Sequence, residues 1–398
     1  MKPVLHITRV LVGILFLFSG LVKANDPLGL SYKMQEFFDL WGMSSFHSWT
    51  LGLSIAVIGF EIIAGMALLT GWQMRLFSWL LLLLIVFFTF LTAYAHFSGK
   101  FKNCGCFGDC IPISTKTSFL KDLALLLLIG FLFAFRKQIT PVFSNRVSAV
   151  LMGATFLVAF GMQWWTLNYL PVVDCLPFRK GNNIKEQMKI PANAIPDSTV
   201  ITFVYEKDGK RVEFTADQFP ADFSSDAYKF VSRYDKVVRK GKNNEPPIKG
   251  FILSGSTNTD STEHVLSNEY SVLLFCETFS NPVSRWEKDF ARVWRLAGEK
   301  GVPAYLITTQ PEEAYRMLKS TEFARIQVLT CDYTAIRTAA RANPTVYVLA
   351  AGTVLGKWSF REMQKAEKKL RPLVVKQARQ RTVPADSLPM PVDSSKIR

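Results

Sequence analysis

Charge is scarce in the first 170 residues of this 398-residue chain, which hold 12 of its 47 Lys and Arg and 6 of its 32 Asp and Glu. So little charge cannot cover a water-soluble surface, and a soluble fold is excluded for this part of the chain. A small-x-small cleavage site is also missing after the first apolar run, so that run, although it begins with Lys2, is read as a retained span and not as a signal peptide. Cysteine is sparse as well: six in all, three of them within the seven residues Cys104-Gly105-Cys106-Phe107-Gly108-Asp109-Cys110.

Long apolar runs fill what charge leaves empty. Segments near 4–22, 50–70, 74–97, 117–135 and 147–170 each have roughly the 17–25 residues a membrane-crossing helix needs. Phe77 to Phe90 contains no charge at all. Between the first two runs, Leu30, Met34, Phe37, Phe38 and Trp41 fall on one helical face with charges opposite, the pattern of a helix lying in the membrane interface. Lysines and arginines are spread over both sets of loops, so their count alone does not orient the chain. The Arg136–Arg146 loop is basic and has no acidic residue, which suits the cytoplasm. That orientation sends the cysteine loop and the carboxy-terminal half outside, where disulfides persist. The expected location is therefore a bacterial inner membrane, multi-pass, with the carboxy-terminal domain periplasmic.

Ionisable residues within spans are costly in lipid and are presumed to face partners. Arg9 in the first span and Glu61 in the second are expected to pair, and Lys23, at the far end of the first span, to snorkel to the interface. The cysteine loop leaves several chemistries open. A Cys104–Cys106 bond would close a very small ring, strained and readily reduced, as a redox-exchanging pair requires. Cys110 could instead bridge to one of the other two. A zinc site would need a fourth ligand from far away, such as Cys175 or His96. The three thiols could also be inert. Cys175 emerges from the fifth span on the same side and could bond Cys104, Cys106 or Cys110. His96 and Lys102 would favour a nearby thiolate, and Asp109 would oppose it.

The runs Arg9-x3-Gly13-x2-Phe16-x2-Ser19-Gly20-x2-Lys23 and Gly59-x-Glu61-x3-Gly65, followed by the Cys-Gly-Cys-Phe-Gly loop, resemble the DoxX/MauE class of small membrane proteins. The layout is similar to the long Bacteroidetes-type form, in which a fifth span leads to a soluble domain. The resemblance implies disulfide formation or maturation of a partner enzyme. It also implies a looser link to quinone-dependent processes, which makes a quinone the one cofactor to consider.

Beyond Leu170 lie 35 basic and 26 acidic residues, interspersed and not clustered. This reads as a solvated surface near anionic lipid, with no nucleic-acid partner. A Pro/Asn/Gly-rich tether (171–196) precedes an alternating hairpin from Thr199 to Phe214 with an Asp208-Gly209 turn. Phe251-Ile252-Leu253 is expected as another short strand. The core runs strand 270–275, helix 281–299, strand 302–307 and helix 311–320, then the stretch 326–329 and a helical 333–341, then strand 343–349 and strand 354–358, a β-α-β-α-β-β order. This order resembles the thioredoxin superfamily, TlpA-like branch, and Pro344 stands where that family holds a cis proline. The family's Cys-x-x-Cys is absent. In Phe275-Cys276-Glu277-Thr278-Phe279-Ser280-Asn281-Pro282-Val283, Ser280 and Val283 occupy the two thiol positions, so the domain lacks an attacking nucleophile. Cys276 and Cys331 read as buried thiols or as a disulfide with each other.

The expected fold class is thus an α-helical membrane bundle followed by a soluble α/β thioredoxin-like domain. Its parts are a four-helix membrane domain (1–140), a fifth transmembrane helix (141–172), a tether with β-rich extension (173–265), a thioredoxin-like domain (266–375) and a disordered tail (376–398). Three functions fit: thiol–disulfide exchange through Cys104 and Cys106, assisted by Cys110 or Cys175; a non-enzymatic assembly factor whose domain without the Cys-x-x-Cys docks a protein partner at the outer membrane face; or a small-molecule or ion carrier built on the four-helix bundle around Glu61.

Overall fold

Among the described residues of this computed structural model, five helices are long and apolar enough to cross a membrane. The structure describes residues 2–374 apart from 102–104, 106, 225, 240, 242 and 281. Cys104, Cys106, Lys102 and the 376–398 tail therefore lie outside the described residues. The first half comprises α1 (Lys2–Ala24), α2 (Pro27–Leu40), α3 (Thr50–Thr70), α4 (Met74–Ser98), α5 (Thr115–Ala134) and α6 (Asn145–Tyr169). Leu83, Leu127 and Leu157 point outward, as helices bathed in lipid require.

Glycines set how closely α1 and α3 approach. A Cβ on Gly65 would sit 2.7 Å from the Leu17 nitrogen, and one on Gly20 would sit 2.6 Å from the Ile62 side chain. Without those side chains the two backbones pack in direct contact. Helix α6 closes on the same pair, with the Thr166 hydroxyl donating to the Ala24 carbonyl at 3.1 Å.

Helix α2 starts where Asp26 accepts from the Gly29 amide at 3.1 Å and Pro27 fills the first turn, a favourable N-terminal combination. Its apolar face buries Phe37, stacked on Phe101 at 4.2 Å. A second face is buried as well, because Ser31 and Gln35 both bond the Thr50 hydroxyl at 2.9 Å. Hydrogen bonds thus anchor α2 on the bundle where apolar patterning shows only one covered side.

The second half begins with α7 (Ile184–Gln187) and a three-stranded antiparallel sheet of β1 (Ser198–Lys207), β2 (Lys210–Thr215) and β3 (Lys229–Arg239), ordered β2-β1-β3. The β1–β2 turn has Asp208 and Gly209 both at positive φ, 53° and 74°, as a two-residue hairpin demands. There follow α8 (Thr262–Ser267), β4 (Tyr270–Phe275), α9 (Glu287–Glu299), β5 (Ala304–Thr308), α10 (Pro311–Leu318), β6 (Gln327–Thr330), α11 (Tyr333–Ala339), β7 (Thr345–Ala350), β8 (Thr353–Ser359) and α12 (Met363–Leu370). The second sheet is ordered β6-β5-β4-β7-β8, with β4, β5 and β6 parallel and β7 and β8 antiparallel. This is a thioredoxin-like domain. Alternation along β4 sends Val272 and Leu274 into the core under α9 and α12, and Leu273 and Phe275 into the core with α11.

Two local expectations change. Phe251-Ile252-Leu253 is not a strand: Phe251 and Leu253 are core residues, and only Ser254 makes isolated bridges, to Asp260 and Thr330. The stretch read as a tether also docks onto the domain. Phe178 and Ile184 are fully buried, and the Ile184 amide donates to the Gly352 carbonyl at 2.9 Å.

Candidate functional site

The chemistry-bearing residues gather where the cysteine loop, α2 and the thioredoxin-like domain meet. Cys110 and Cys175 form a disulfide, with Cα atoms 4.9 Å apart. It ties the loop between α4 and α5 to the chain leaving α6. Asn25 fixes the same exit to the end of α1, donating to the Val173 carbonyl at 2.8 Å and accepting from the Val173 amide at 2.9 Å. Because Cys175 is bonded to Cys110, neither supplies a thiolate for a zinc site, and no group of three or more metal-ligating side chains occurs among the described residues.

The loop turns at glycines. Gly105 has φ +71° and packs against the aliphatic stem of Lys33, where a Cβ would come within 2.9 Å. The Gly108 amide donates to the Gly105 carbonyl at 3.0 Å. Phe107 turns toward the bundle, 6.1 Å from the Phe18 ring and beneath the Lys121 ammonium at 5.2 Å. Asp109 faces away from it. Its carboxylate accepts from Arg341 at 2.6 Å, so its charge is directed at a guanidinium. His96 stacks on Phe119 at 6.2 Å.

Arg341 is the hinge-pin of the junction. Its side chain is 4 % exposed and donates to Asp26 at 2.8 Å, to Asp109 at 2.6 Å and to the Arg337 carbonyl at 2.6 Å. Arg337 donates to Glu277 at 2.7 Å and to Gln35 of α2 at 2.6 Å, and lies over the Tyr333 and Tyr32 rings. The Tyr32 hydroxyl donates to Glu277 at 3.3 Å. Burial, with the Glu277 carboxylate beside it, pushes the Tyr32 hydroxyl well above its ordinary value. On the other side Lys357 of β8 meets Asp174 at 2.8 Å, and burial holds its ammonium below the usual lysine value against the pull of that carboxylate. A cleft of about 310 Å³ opens between α2 and α11, bordered by Tyr32, Lys33, Asp109, Tyr333, Arg337 and Arg341.

The edge of the thioredoxin-like domain facing α2 carries the segment in which Ser280 and Val283 are read at the thiol positions. Here the Glu277 amide donates to Asn343 at 3.0 Å, Asn343 donates to the Thr278 carbonyl at 2.6 Å, and the Asn343–Pro344 bond is cis. Ser280 is exposed and shares a hydrogen bond with Thr278 at 2.9 Å, whereas Val283 is buried. Cys276 and Cys331 are free and buried on opposite faces of the sheet, not joined to each other. Burial pushes the Cys276 thiol far up and the Cys331 thiol up to about 12.

Within the bundle the expected Arg9–Glu61 pair is replaced. Glu61 accepts from Lys23 through both oxygens at 2.8 and 2.7 Å, and from Ser19 at 3.2 Å. Lys23 does not snorkel; its side chain is buried. Arg9 lies at the other end of α1, with Nη2 3.2 Å from His6 and Nη1 donating to the Thr140 carbonyl at 3.5 Å. Sequence reasoning also passed over Asp122. It pairs with Lys121 at 2.6 Å, is buried, and lines with Ser19, Glu61 and Phe107 a pocket of about 50 Å³. The signal was present, since Asp122 is the one acid in the fourth apolar run. Asp26, Glu277, Arg337 and Arg341 were not legible as a cluster, because they come from three distant stretches.

These features define a multi-helix membrane domain joined to a thioredoxin-like domain. Residues 1–135 match the family described as methylamine utilisation protein MauE. Residues 199–240, the three-stranded sheet, match a domain of unknown function (DUF8463). No curated protein matches the chain. Among solved structures, a crystal structure of a peroxiredoxin-like protein from Aquifex aeolicus is similar at 14 % identity, covering 30 % of this chain and 83 % of its own, with a TM-score of 0.23.

Proposed function

We propose that this chain is a membrane thiol–disulfide protein whose Cys104 and Cys106 exchange electrons with a partner protein at the outer face of the inner membrane. The observation that supports this is the Cys110–Cys175 bond. It occupies the two thiols that could otherwise bridge to the loop pair. With Cys276 and Cys331 buried in the thioredoxin-like domain, Cys104 and Cys106 are the two cysteines left for exchange in this reading. A partner thiolate attacks one sulfur of the Cys104–Cys106 bond and forms a mixed disulfide. The partner's second thiolate then displaces the loop sulfur. The partner dithiol is oxidised to a disulfide, and the loop pair takes up two electrons and two protons. In this reading the thioredoxin-like domain, without thiols at Ser280 and Val283, holds the loop in place through Arg341 and presents the cleft beside Lys33 and Asp109 to the partner. The acid-free Arg136–Arg146 stretch favours the cytoplasm for the opposite end.

The absence of thiols at Ser280 and Val283 also favours a second reading, a non-enzymatic maturation factor that docks its partner through the same edge. Mass-spectrometric disulfide mapping of the full chain, before and after mild reductant, separates the two. Thiol exchange requires a Cys104–Cys106 bond that is lost under conditions that spare Cys110–Cys175. If both thiols are free in protein isolated without reductant, and the Cys104→Ser, Cys106→Ser variant functions in cells as the wild type does, the redox reading is wrong.

A further inference from the structure

Arg9 has lost its expected acid partner, and no other carboxylate reaches it among the described residues. The side chain is almost fully buried, and its Nε finds no acceptor. The helix end at Gly71 offers partial compensation. With φ +71° and with Arg9 Nη1 2.3 Å from where a Cβ would lie, only glycine fits there, and the guanidinium rests on the carbonyl end of α3. A helix dipole supplies only about half a charge. A buried cation in a membrane-spanning helix requires more.

Arg9 also lines a pocket of about 280 Å³ with Lys2, Leu5, His6, Gln138 and Thr140. Lys2, at the start of α1, and Arg9, about two turns further on, bring two positive charges to this lining, with the His6 ring between them. The stretches that build this end, 2–10, 66–78 and 130–148, contain Lys2, Arg9, Arg75, Arg136, Lys137 and Arg146 and not one Asp or Glu. The site lies at the opposite end of the bundle from the cysteine loop, because α1, α4 and α6 start there and α3 and α5 finish there.

We infer that this pocket binds a phosphate group, either that of a phospholipid headgroup or a free phosphate anion. The planar guanidinium fork matches phosphate oxygens, and the adjacent lysine adds a second charge without competing acids. A volume of about 280 Å³ admits a phosphate with its ester substituents.

The test uses the full chain in detergent, with phosphatidylglycerol, phosphatidylcholine and inorganic phosphate as separate probes, read by native mass spectrometry and thermal unfolding. Phosphatidylglycerol should remain bound and raise the melting temperature. Lys2→Gln, at an exposed position, should keep the fold and weaken binding about fivefold. Arg9→Gln should weaken it further, and Arg146→Gln, outside the pocket, should not. Stabilisation by inorganic phosphate equal to that by phosphatidylglycerol identifies the free anion as ligand, and stabilisation by lipid alone identifies the headgroup. No shift with any probe, or equal weakening by Arg146→Gln and Lys2→Gln, overturns the inference.

Discussion

The Lys23 ammonium lies 2.7 Å from Glu61 Oε2, with both side chains at least 95 % buried among α1, α3 and their neighbours. The register of the two helices decides this. Gly13 meets Leu69, Leu17 meets Gly65 and Gly20 meets Ile62, so Glu61 is level with position 21 of α1, close to Lys23. By the same register Arg9 is level with the end of α3, roughly 18 Å away along the axis. Ser19 completes the arrangement, accepting from Lys23 at 2.8 Å while donating to Glu61.

Glu61→Gln should therefore strand the Lys23 charge, at a cost on the order of 2–3 kcal/mol on insertion scales. The yield of monodisperse protein after detergent extraction should fall, and Lys23→Met combined with Glu61→Gln should restore much of it. Arg9→Met combined with Glu61→Gln should restore nothing. Equal recovery by both double variants would contradict the pairing.

This pair shows where sequence reading succeeds and where it stops. Apolar run length gave the five spans, and short continuous apolar runs gave the central strands of the thioredoxin-like domain, because burial leaves a local pattern in the residues. Arg9 and Lys23 are 14 residues apart, close to four turns, and so share a face of α1. Only the glycine contacts across to α3 determine which of them is level with Glu61, and those are not local. Strand β3 was missed because it carries charges on an exposed, short sheet. Helix α12 was missed because Met363, Ala366 and Leu370 are its only buried residues. The Arg341 cluster was unreadable because Asp26, Asp109 and Arg341 become neighbours only once the two halves dock.

That docking gives the next expectation. Arg341 is buried between Asp26 and Asp109, and Arg341→Gln leaves two carboxylates facing each other. Removing one member of a buried ionic group costs on the order of 3–5 kcal/mol. Thermal unfolding of the full chain should shift down accordingly, and proteolysis in the 171–183 stretch should accelerate. Adding Asp26→Asn and Asp109→Asn to Arg341→Gln should recover part of the loss. A triple variant no more stable than the single would show that the three side chains do not act together.

The Cys110–Cys175 bond spans 65 residues of sequence. Closing a loop of that length restricts the unfolded chain by about 4 kcal/mol in the chain-entropy description. Cys110→Ser and Cys175→Ser should each lower the unfolding midpoint, and strong reductant should lower the wild type by the same amount without affecting either variant. A wild type indifferent to full reduction, verified by alkylation, would argue against this bond as a structural tie.

Cys276 and Cys331 should be inert in the folded chain. Burial raises the Cys276 thiol far above its ordinary value and lifts Cys331 from 9.0 to about 12, so neither offers thiolate at neutral pH. A raised folded-state value means that the native protein holds these protons more tightly than the unfolded chain does. The resulting stability is complete below pH 9.0 and is lost as pH climbs toward about 12. Iodoacetamide at pH 8 should modify Cys276 and Cys331 only after denaturant is added. A chain carrying Cys104→Ser and Cys106→Ser should then show no thiol–disulfide exchange, because Ser280 and Val283 provide no substitute and Cys110 and Cys175 are bonded to each other. Rapid native labelling of Cys276, or insulin reduction by that double variant, would place redox chemistry in the thioredoxin-like domain and remove it from the loop.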